Sequence, residues 1–324
     1  MTEPHHRRRA DTLAVHSVNR FVFTVPDLDE AHRFYAGFGL DVRRSADASG
    51  DHLDLHTFGH PHCWGQVYVG GSTKALQYLS LGIDADDLPA WQAKVTALNA
   101  PCPPHPLSDG SGIWLPNPDG TPLQLVVAPK VSPSQKLAAT SAAPVAPGQG
   151  AAPSRRIVKP VQPRQLSHLL FFTPDVNRML AFCSDMLGLR LSDRNADLIA
   201  FIHTPHGSDH HLLAFAKSNA PGLHHSSWAV TSVDEVGAGA EQMRLAGHTL
   251  GWGLGRHVLG SNYFHYVRDP WGSYAEYSFD IDFVPADLDW PAADHPPEDS
   301  FYVWGPAVPS DFVTNFEPAA AGAA

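Results

Sequence analysis

Two imidazoles and one carboxylate in the second half of the chain are the side chains best suited to chemistry. His168 lies in the apolar run SHLLFF, His225 in LHHSSWAV and Glu276 in SYAEYSF. A carboxylate in a strand rich in aromatic residues needs a partner, because burying an unpaired charge is costly. Two neutral imidazoles and a carboxylate form the ligand set of non-haem Fe(II) sites, which leave open positions for substrate and dioxygen.

The first half of the chain repeats the surrounding pattern without these three groups. Aligning Pro26 with Pro174, Leu76 with Leu223 and Gly120 with Gly272 matches Arg20 to His168, Tyr78 to His225 and Gln124 to Glu276. If these residues were only structural, both copies should need them equally. Their joint absence from one copy indicates that they act as a unit.

The repeat also predicts the elements that position these side chains. Each half contains two units in which an apolar strand, a helix and further strands follow one another. We therefore expect an α+β fold of four βαβββ modules, mostly antiparallel, paired into two similar domains that are each a half-open barrel. Asp27 and Asp175, each after a proline, are expected to begin helices as N-caps.

Composition shifts divide the chain into four segments. We predict a non-catalytic N-terminal domain at 14–128, a linker rich in proline and alanine at 129–163, and a catalytic metal-binding domain at 164–284. Residues 285–324 form a C-terminal extension, which is a candidate lid for the active site, and a tail.

Charge and composition restrict the partners and the compartment. The formal net charge of −11 disfavours nucleic acid and anionic membranes. No apolar run reaches the ~20 residues that span a bilayer, so no membrane partner is expected. The three cysteines have no CxxC spacing, which favours a reducing cytoplasm.

The motifs of the second half resemble a known family, the type I extradiol ring-cleaving dioxygenases of the vicinal oxygen chelate superfamily. SHLLFFTPD and LHHSSWAV resemble the two histidine-ligand strands, with His225 as the ligand of its pair. GRHVLGSNYFHYVRDPWGSYAEYSFD resembles the C-terminal signature that carries Glu276. The resemblance covers nearly the whole chain and is strongest to the homoprotocatechuate 2,3-dioxygenase and catechol 2,3-dioxygenase branch.

The resemblance implies further residues and a reaction. In DHHLLAF it assigns His211 as the acid/base, and it assigns His257 and Tyr266 to hydrogen bonds with the bound substrate. It implies extradiol (meta) cleavage of a catechol in aromatic hydrocarbon catabolism, with Fe(II) as cofactor and dioxygen as co-substrate. The ligand set also accepts Mn(II). A homo-oligomer is expected, because it is common among such relatives.

Two departures from the branch bear on the substrate. Trp252 stands where homoprotocatechuate enzymes have an arginine for the substrate carboxylate, and Leu170 replaces an asparagine. We expect both to lie in the substrate pocket. A pocket without this anion clamp favours an uncharged catechol.

Two other functions are compatible with this scaffold. One is a glyoxalase-like isomerase or transferase, and the other is a non-catalytic ligand-binding protein. Within the histidine pairs, strand alternation predicts that His224 faces away from His225. We expect the same relation between His210 and His211.

Overall fold

The computed structural model of the protein describes residues 8–98, 100–140 and 144–317. Residues 141–143 of the predicted linker and residues 318–324 of the predicted extension lie outside these ranges. Each half of the chain builds one main sheet, and the described part of the extension adds one short strand to the sheet of the second half.

The first half alternates each helix with a group of strands. Its elements are β1 (Ser17–Val25), α1 (Leu28–Phe38), β2 (Asp41–Asp47), β3 (Gly50–Thr57), β4 (His60–Val69), β5 (Ala75–Ile83), α2 (Leu88–Ala97), β6 (Ile113–Pro116) and β7 (Pro122–Val127).

The second half repeats this order and continues into the extension. Its elements are β8 (Gln165–Thr173), α3 (Val176–Asp185), β9 (Arg190–Asn195), β10 (Ile199–His203), β11 (Ser208–Asp209), β12 (Leu213–Lys217), β13 (Gly222–Ala229), α4 (Val233–Leu245), β14 (Gly251–Arg256), β15 (Tyr263–Arg268), β16 (Tyr274–Phe279), β17 (Phe283–Val284) and β18 (Ala293–Asp294).

The two halves share one strand-pairing scheme. In each module the first strand pairs in parallel with the last, as β1 does with β4 and β13 with β16. The first strands of paired modules run antiparallel, β1 against β5 and β8 against β13. Neither main sheet closes on itself, because its terminal strands pair on one side only. The predicted α+β class of two open sheets is confirmed.

The second module of the first half is one strand shorter than the pattern predicts. Between α2 and β6 the chain runs through Pro101, Pro103, Pro104 and Pro106 without regular pairing. Proline has no N–H to give to a ladder, so this segment cannot form an internal strand.

Local signals at the helix starts and hairpin turns agree with the sequence. The Asp27 carboxylate accepts hydrogen bonds at the start of α1 and that of Asp175 does so at the start of α3. Asn117 and Asp269 fix the equivalent turns of the two halves. Each side chain accepts hydrogen bonds from the backbone N–H groups two and four residues later, at 2.9–3.0 Å.

Buried charges join the two halves. Lys74 of the first half forms an ion pair with Asp269 of the second, and both side chains are almost fully buried. The Glu317 carboxylate accepts hydrogen bonds from the backbone N–H of Leu76 at 2.9 Å and of Leu223 at 2.8 Å, which are equivalent positions in the repeat. Glu317 thereby attaches the extension to β5 and β13 together. Among the described residues, no helix is long and apolar enough to cross a membrane.

Candidate metal centre

Strand register brings the three predicted ligands together in the second sheet. Ser227 of β13 pairs with His168 of β8 on one side and with Glu276 of β16 on the other. On the same strand, His225 pairs with Leu170 of β8.

The first sheet has the same register with different residues. Ser80 of β5 pairs with Arg20 of β1 and with Gln124 of β7. The Arg20 guanidinium donates to Gln66 Oε1 at 2.9 Å, and Gln124 Nε2 donates to the Ser111 carbonyl at 3.0 Å. Residues that align between the two halves of the sequence therefore occupy equivalent positions in the strand register of the two sheets.

The three candidate ligand atoms form a small triangle. His168 Nε2 lies 3.2 Å from His225 Nε2 and 3.3 Å from Glu276 Oε2, and His225 Nε2 lies 3.6 Å from that oxygen. Ligands about 2.1 Å from a metal on one face of an octahedron lie roughly 3 Å apart. Glu276 is completely buried, and its Oε2 has no hydrogen-bond partner among the described residues. These residues therefore fit a divalent metal ion.

His224 is turned toward His225, and the expectation that it faces away is wrong. The pairing of β13 with β8 shifts register between Leu223 and His225, which forms a β-bulge at His224. A bulge breaks the two-residue alternation of side chains. The two Nδ1 atoms lie 2.7 Å apart, and His224 Nε2 donates to the Phe312 carbonyl at 2.8 Å.

These hydrogen bonds fix which nitrogen of His225 is free. Because the carbonyl oxygen of Phe312 only accepts, the hydrogen of a neutral His224 is on Nε2 and its Nδ1 is an acceptor. His225 therefore carries its hydrogen on Nδ1 and presents the lone pair of Nε2 to the centre, as a metal-ligating histidine requires.

The other two ligands are also held from outside the triangle. Ser167 Oγ donates to Asp209 Oδ2 at 2.9 Å, so it can accept from His168 Nδ1 at 3.3 Å. Asn262 Nδ2 donates to Glu276 Oε1 at 3.2 Å, which leaves Oε2 for the centre. The sequence motifs carry no signal of these roles for Asn262, Ser167 or the Phe312 carbonyl.

The protonation states suit metal binding. Burial lowers the pKa of His225 well below its usual value. Burial raises the pKa of the Glu276 carboxyl, but the neighbouring imidazoles of His168 and His257 outweigh this and bring it well below its usual value. Neutral imidazole and ionised carboxylate are the forms that bind a metal ion.

His257 and Tyr266 form a pair beside the triangle. His257 Nδ1 donates to the carbonyl of Phe301, so its Nε2 accepts from the Tyr266 hydroxyl at 2.9 Å. His257 Nε2 lies 3.8 Å from Glu276 Oε1. Burial, followed by the charge of Glu276, raises the pKa of Tyr266 well above its usual value, so the hydroxyl stays protonated.

His211 lies against the first ligand. Its ring centroid is 4.0 Å from that of His168 and 4.8 Å from that of Phe201. Burial lowers the pKa of His211 well below its usual value. His210 is not directed away from His211, contrary to expectation, because their Nδ1 atoms lie 3.1 Å apart.

One cavity connects these groups. Its lining is mostly apolar, and its polar groups include His168, His211, His224, His225, His257, Asn262 and Tyr266. Leu170 and Trp252, the two predicted pocket residues, both line it. Phe301 and Phe312 contribute walls from the C-terminal extension.

Comparison with known proteins shows the family of the chain. Residues 165–277 match the model of the Glyoxalase/Bleomycin resistance protein/Dioxygenase superfamily. The chain is 50% identical to metapyrocatechase 2 of Cupriavidus necator over 306 residues, which cover 94% of this chain and 93% of that protein. The chain belongs to the extradiol ring-cleaving dioxygenases of the vicinal oxygen chelate superfamily. This assignment decides against a glyoxalase-like isomerase and against a non-catalytic ligand-binding protein.

Solved structures share the fold of this extradiol dioxygenase. Homoprotocatechuate 2,3-dioxygenase from Arthrobacter globiformis has a TM-score of 0.71 at 18% identity, over 96% of this chain and 93% of that one. The Mn(II)-bound glyoxalase from Novosphingobium aromaticivorans has a TM-score of 0.70 at 24% identity, over 90% of this chain and 92% of that one. At these identities the likeness shows the fold alone. The extradiol dioxygenase family is metal-dependent, and the triangle fits that requirement.

Proposed function

We propose that this dioxygenase binds Fe(II) through His168, His225 and Glu276 and cleaves an uncharged catechol beside its two hydroxyl groups. The observation that carries the proposal is the buried triangle of donor atoms, all within 4.8 Å of one another, at a cavity lined by His211, His257 and Tyr266. Bound Fe(II) would orient the diol and dioxygen and conduct electron density between them. The ring-opened product is a semialdehyde-type acid, formed in aromatic degradation.

His257 and Tyr266 bind and orient the substrate in this proposal. The Tyr266 hydroxyl is a buried donor that stays protonated, so it can stabilise negative charge that develops on a substrate oxygen. His257 is fixed by the Phe301 carbonyl and presents Nε2 as an acceptor. A catechol hydroxyl is a donor that this nitrogen can hold.

His211 exchanges a proton with the substrate in this proposal. It is buried at the cavity, and a neutral imidazole can take a proton from the second hydroxyl group and return it as the ring opens. Its ring lies beside His168, so the proton moves next to the metal ligands.

The cavity lining supports an uncharged substrate. Among the described residues, no lysine or arginine lines the cavity, and Leu170, Phe201, Leu259 and Phe301 give it an apolar surface. A carboxylated catechol would lose hydration here without gaining a cation.

The test is reconstitution of the purified protein without oxygen, once with Fe(II) and once with Mn(II). Each form is then given oxygen with 4-methylcatechol, and with 3,4-dihydroxybenzoate as the carboxylated match. We expect uptake of one dioxygen per ring-opened product, Fe(II) as the more active metal, and at least tenfold higher kcat/KM for methylcatechol. Turnover without oxygen, or a preference for the carboxylated substrate, would contradict the proposal.

Two substitutions separate metal binding from chemistry. His225→Ala should lose both the metal and turnover, because it removes a ligand. His211→Ala should keep the metal and turn over poorly, because it removes the proton acceptor. Normal catechol cleavage by His225→Ala would refute the proposed ligand set.

We also infer the domain division, the compartment and the oligomeric state of the protein. The chain divides into domains at 14–128 and 164–284. In the first domain, two of the residues equivalent to the candidate ligands form hydrogen bonds with other residues of that domain, and the second domain is the catalytic one. Cys63, Cys102 and Cys183 are free thiols, which favours a reducing compartment such as the cytoplasm. The family resemblance favours a homo-oligomer, which light scattering on the purified protein tests.

A further inference from the structure

A second pair of adjacent histidines, His210 and His211, resembles His224 and His225, and His211 lines the cavity. His210 is fully buried, and its Nδ1 lies 3.1 Å from His211 Nδ1. Its other ring nitrogen, Nε2, lies 2.8 Å from Asp193 Oδ2. Asp193, His210 and His211 therefore form one hydrogen-bonded chain that ends at the cavity.

Asp193 is surrounded by donors. Its oxygens face His210 Nε2 and His295 Nε2 at 2.8 Å, Ala293 N at 3.0 Å and Trp290 Nε1 at 3.3 Å. Burial raises the pKa of Asp193, but the hydrogen bonds from His210, His295 and Ala293 outweigh this and bring it below its usual value. The carboxylate is thus ionised and only accepts hydrogen bonds.

We propose that Asp193 and His210 are positioning residues that hold His211 with its hydrogen on Nδ1 and a free lone pair on Nε2. An acceptor at Asp193 requires the hydrogen of a neutral His210 to be on Nε2, so His210 Nδ1 accepts from His211 Nδ1. The remaining nitrogen of His211 is then the one that can take a proton from a substrate. This inference rests on the proposed role of His211 as acid and base.

The backbone of His210 is fixed as firmly as its ring. Ser192 Oγ donates to the His210 carbonyl, and His210 N donates to the Asp282 carbonyl at 2.6 Å. The Trp290 ring packs edge-on against the His210 ring at 5.1 Å. His210 cannot change its hydrogen-bond partners by a small rotation. Whether residue 193 accepts or donates a hydrogen bond therefore determines the tautomer of His210 and, through it, that of His211.

The C-terminal extension supplies three of the four donors to Asp193. They are Trp290, Ala293 and His295, and β18 of the extension pairs in parallel with β9, which carries Asp193. The extension therefore contributes to the orientation of His211 as well as to the cavity wall.

The first test is NMR of the full-length protein labelled with ¹⁵N-histidine and loaded with Zn(II), which is diamagnetic. The His211 signals are assigned by their loss in His211→Asn. We expect hydrogen on Nδ1 and none on Nε2. Hydrogen on Nε2 of His211 would overturn the proposal. This readout does not depend on catechol turnover, so it decides the proposal even if the proposed function fails.

The second test uses Asp193→Asn. The asparagine amide can place a donor opposite His210 Nε2, which reverses both histidine tautomers and puts a hydrogen on Nε2 of His211. We expect the NMR signals to report this reversal, with kcat of the Fe(II) enzyme lowered about 10- to 100-fold. KM and metal content should stay within about twofold. Unchanged tautomers together with unchanged kcat would overturn the proposal.

One control variant and two substitutions of His210 complete the test. His265→Gln is the control, because His265 lies on β15 and does not line the cavity, and it should leave the His211 tautomer and kcat unchanged. If Asp193→Asn does not fold, His210→Gln and His210→Leu replace it. The glutamine oxygen can still accept from His211, so His210→Gln should keep at least tenfold more kcat than His210→Leu. Equal kcat in these two variants would overturn the proposal.

Discussion

The Nδ1 atoms of His224 and His225 lie 2.7 Å apart, although these residues are neighbours on one strand. The bulge at His224 makes this contact possible, and the Phe312 carbonyl orients it from the extension. His224 would therefore act on a metal ion bound by His225 through the orientation of the His225 ring.

Replacing His224 should weaken metal binding. In His224→Leu, His225 loses the acceptor that keeps its hydrogen on Nδ1, so we expect Mn(II) affinity to fall about 10- to 100-fold. Calorimetric titration of the folded variant measures this. His265→Gln is the matched control, since His265 is a partly buried histidine of the neighbouring strand β15 that does not line the cavity. Wild-type affinity in His224→Leu would contradict the orientation described here.

Tyr266→Phe should impair turnover without loss of metal. The substitution removes one buried hydroxyl donor and keeps the ring, which packs between Trp252 and Phe312. We expect kcat to fall about 100-fold, as for loss of one donor to a developing oxyanion. Iron content and steady-state rates are measured on the same preparation. Loss of iron with unchanged turnover per bound iron would assign Tyr266 to metal retention instead.

The Lys74–Asp269 pair should stabilise the association of the two halves. Burial lowers the pKa of Lys74, but the charge of Asp269 outweighs this and raises it, so the ammonium group remains charged. Lys74→Met leaves the buried Asp269 without its cation, which should lower the free energy of unfolding by about 3–5 kcal/mol. Urea unfolding measures the change.

The control for Lys74 is an exposed ion pair. Lys136 lies 2.7 Å from Asp280, and both side chains are more than a third exposed. Lys136→Met should change stability by less than about 1 kcal/mol. Equal effects of the two substitutions would show that burial does not distinguish these pairs.

Asp209 should make stability fall with increasing pH. Burial raises the pKa of Asp209 to about 7, against about 3.9 for an unfolded aspartate. Its contribution is therefore fully present below about pH 4 and is lost as pH rises toward and through 7. Asp209→Asn removes this dependence and can still accept from Ser167.

Urea unfolding of the metal-free proteins at pH 5 and pH 8 measures this difference. Between these two values, the stability of Asp209→Asn relative to wild type should rise by about 2–3 kcal/mol. The comparison cancels the other titrating groups, which both proteins share. A constant difference across the two pH values would show that the carboxyl of Asp209 titrates normally.

The sequence predicted the candidate ligands because they interrupt a repeat. His168 and Glu276 occupy positions whose counterparts, Arg20 and Gln124, lie in the same register of the first sheet. A strand register follows from apolar alternation and turn residues, and both are local signals.

The surroundings of the ligands could not be predicted in this way. His224 depends on a bulge, which breaks the alternation used to orient side chains. His210 precedes a strand, where no periodicity fixes its direction. The Phe301 and Phe312 carbonyls orient His257 and His224 through the backbone, so their side chains carry no signal of that role. The four prolines before β6 disfavour the strand that the repeat pattern predicts there, and the residues described at that place form no strand.

An anomalous difference map at the iron edge, from crystals of the Fe(II)-loaded protein, tests the central claim most directly. We predict one strong peak per chain, about 2.0–2.3 Å from His168 Nε2, His225 Nε2 and a Glu276 carboxylate oxygen. A fully loaded protein with its iron peak elsewhere, or with any of these three side chains turned away from it, would contradict the account.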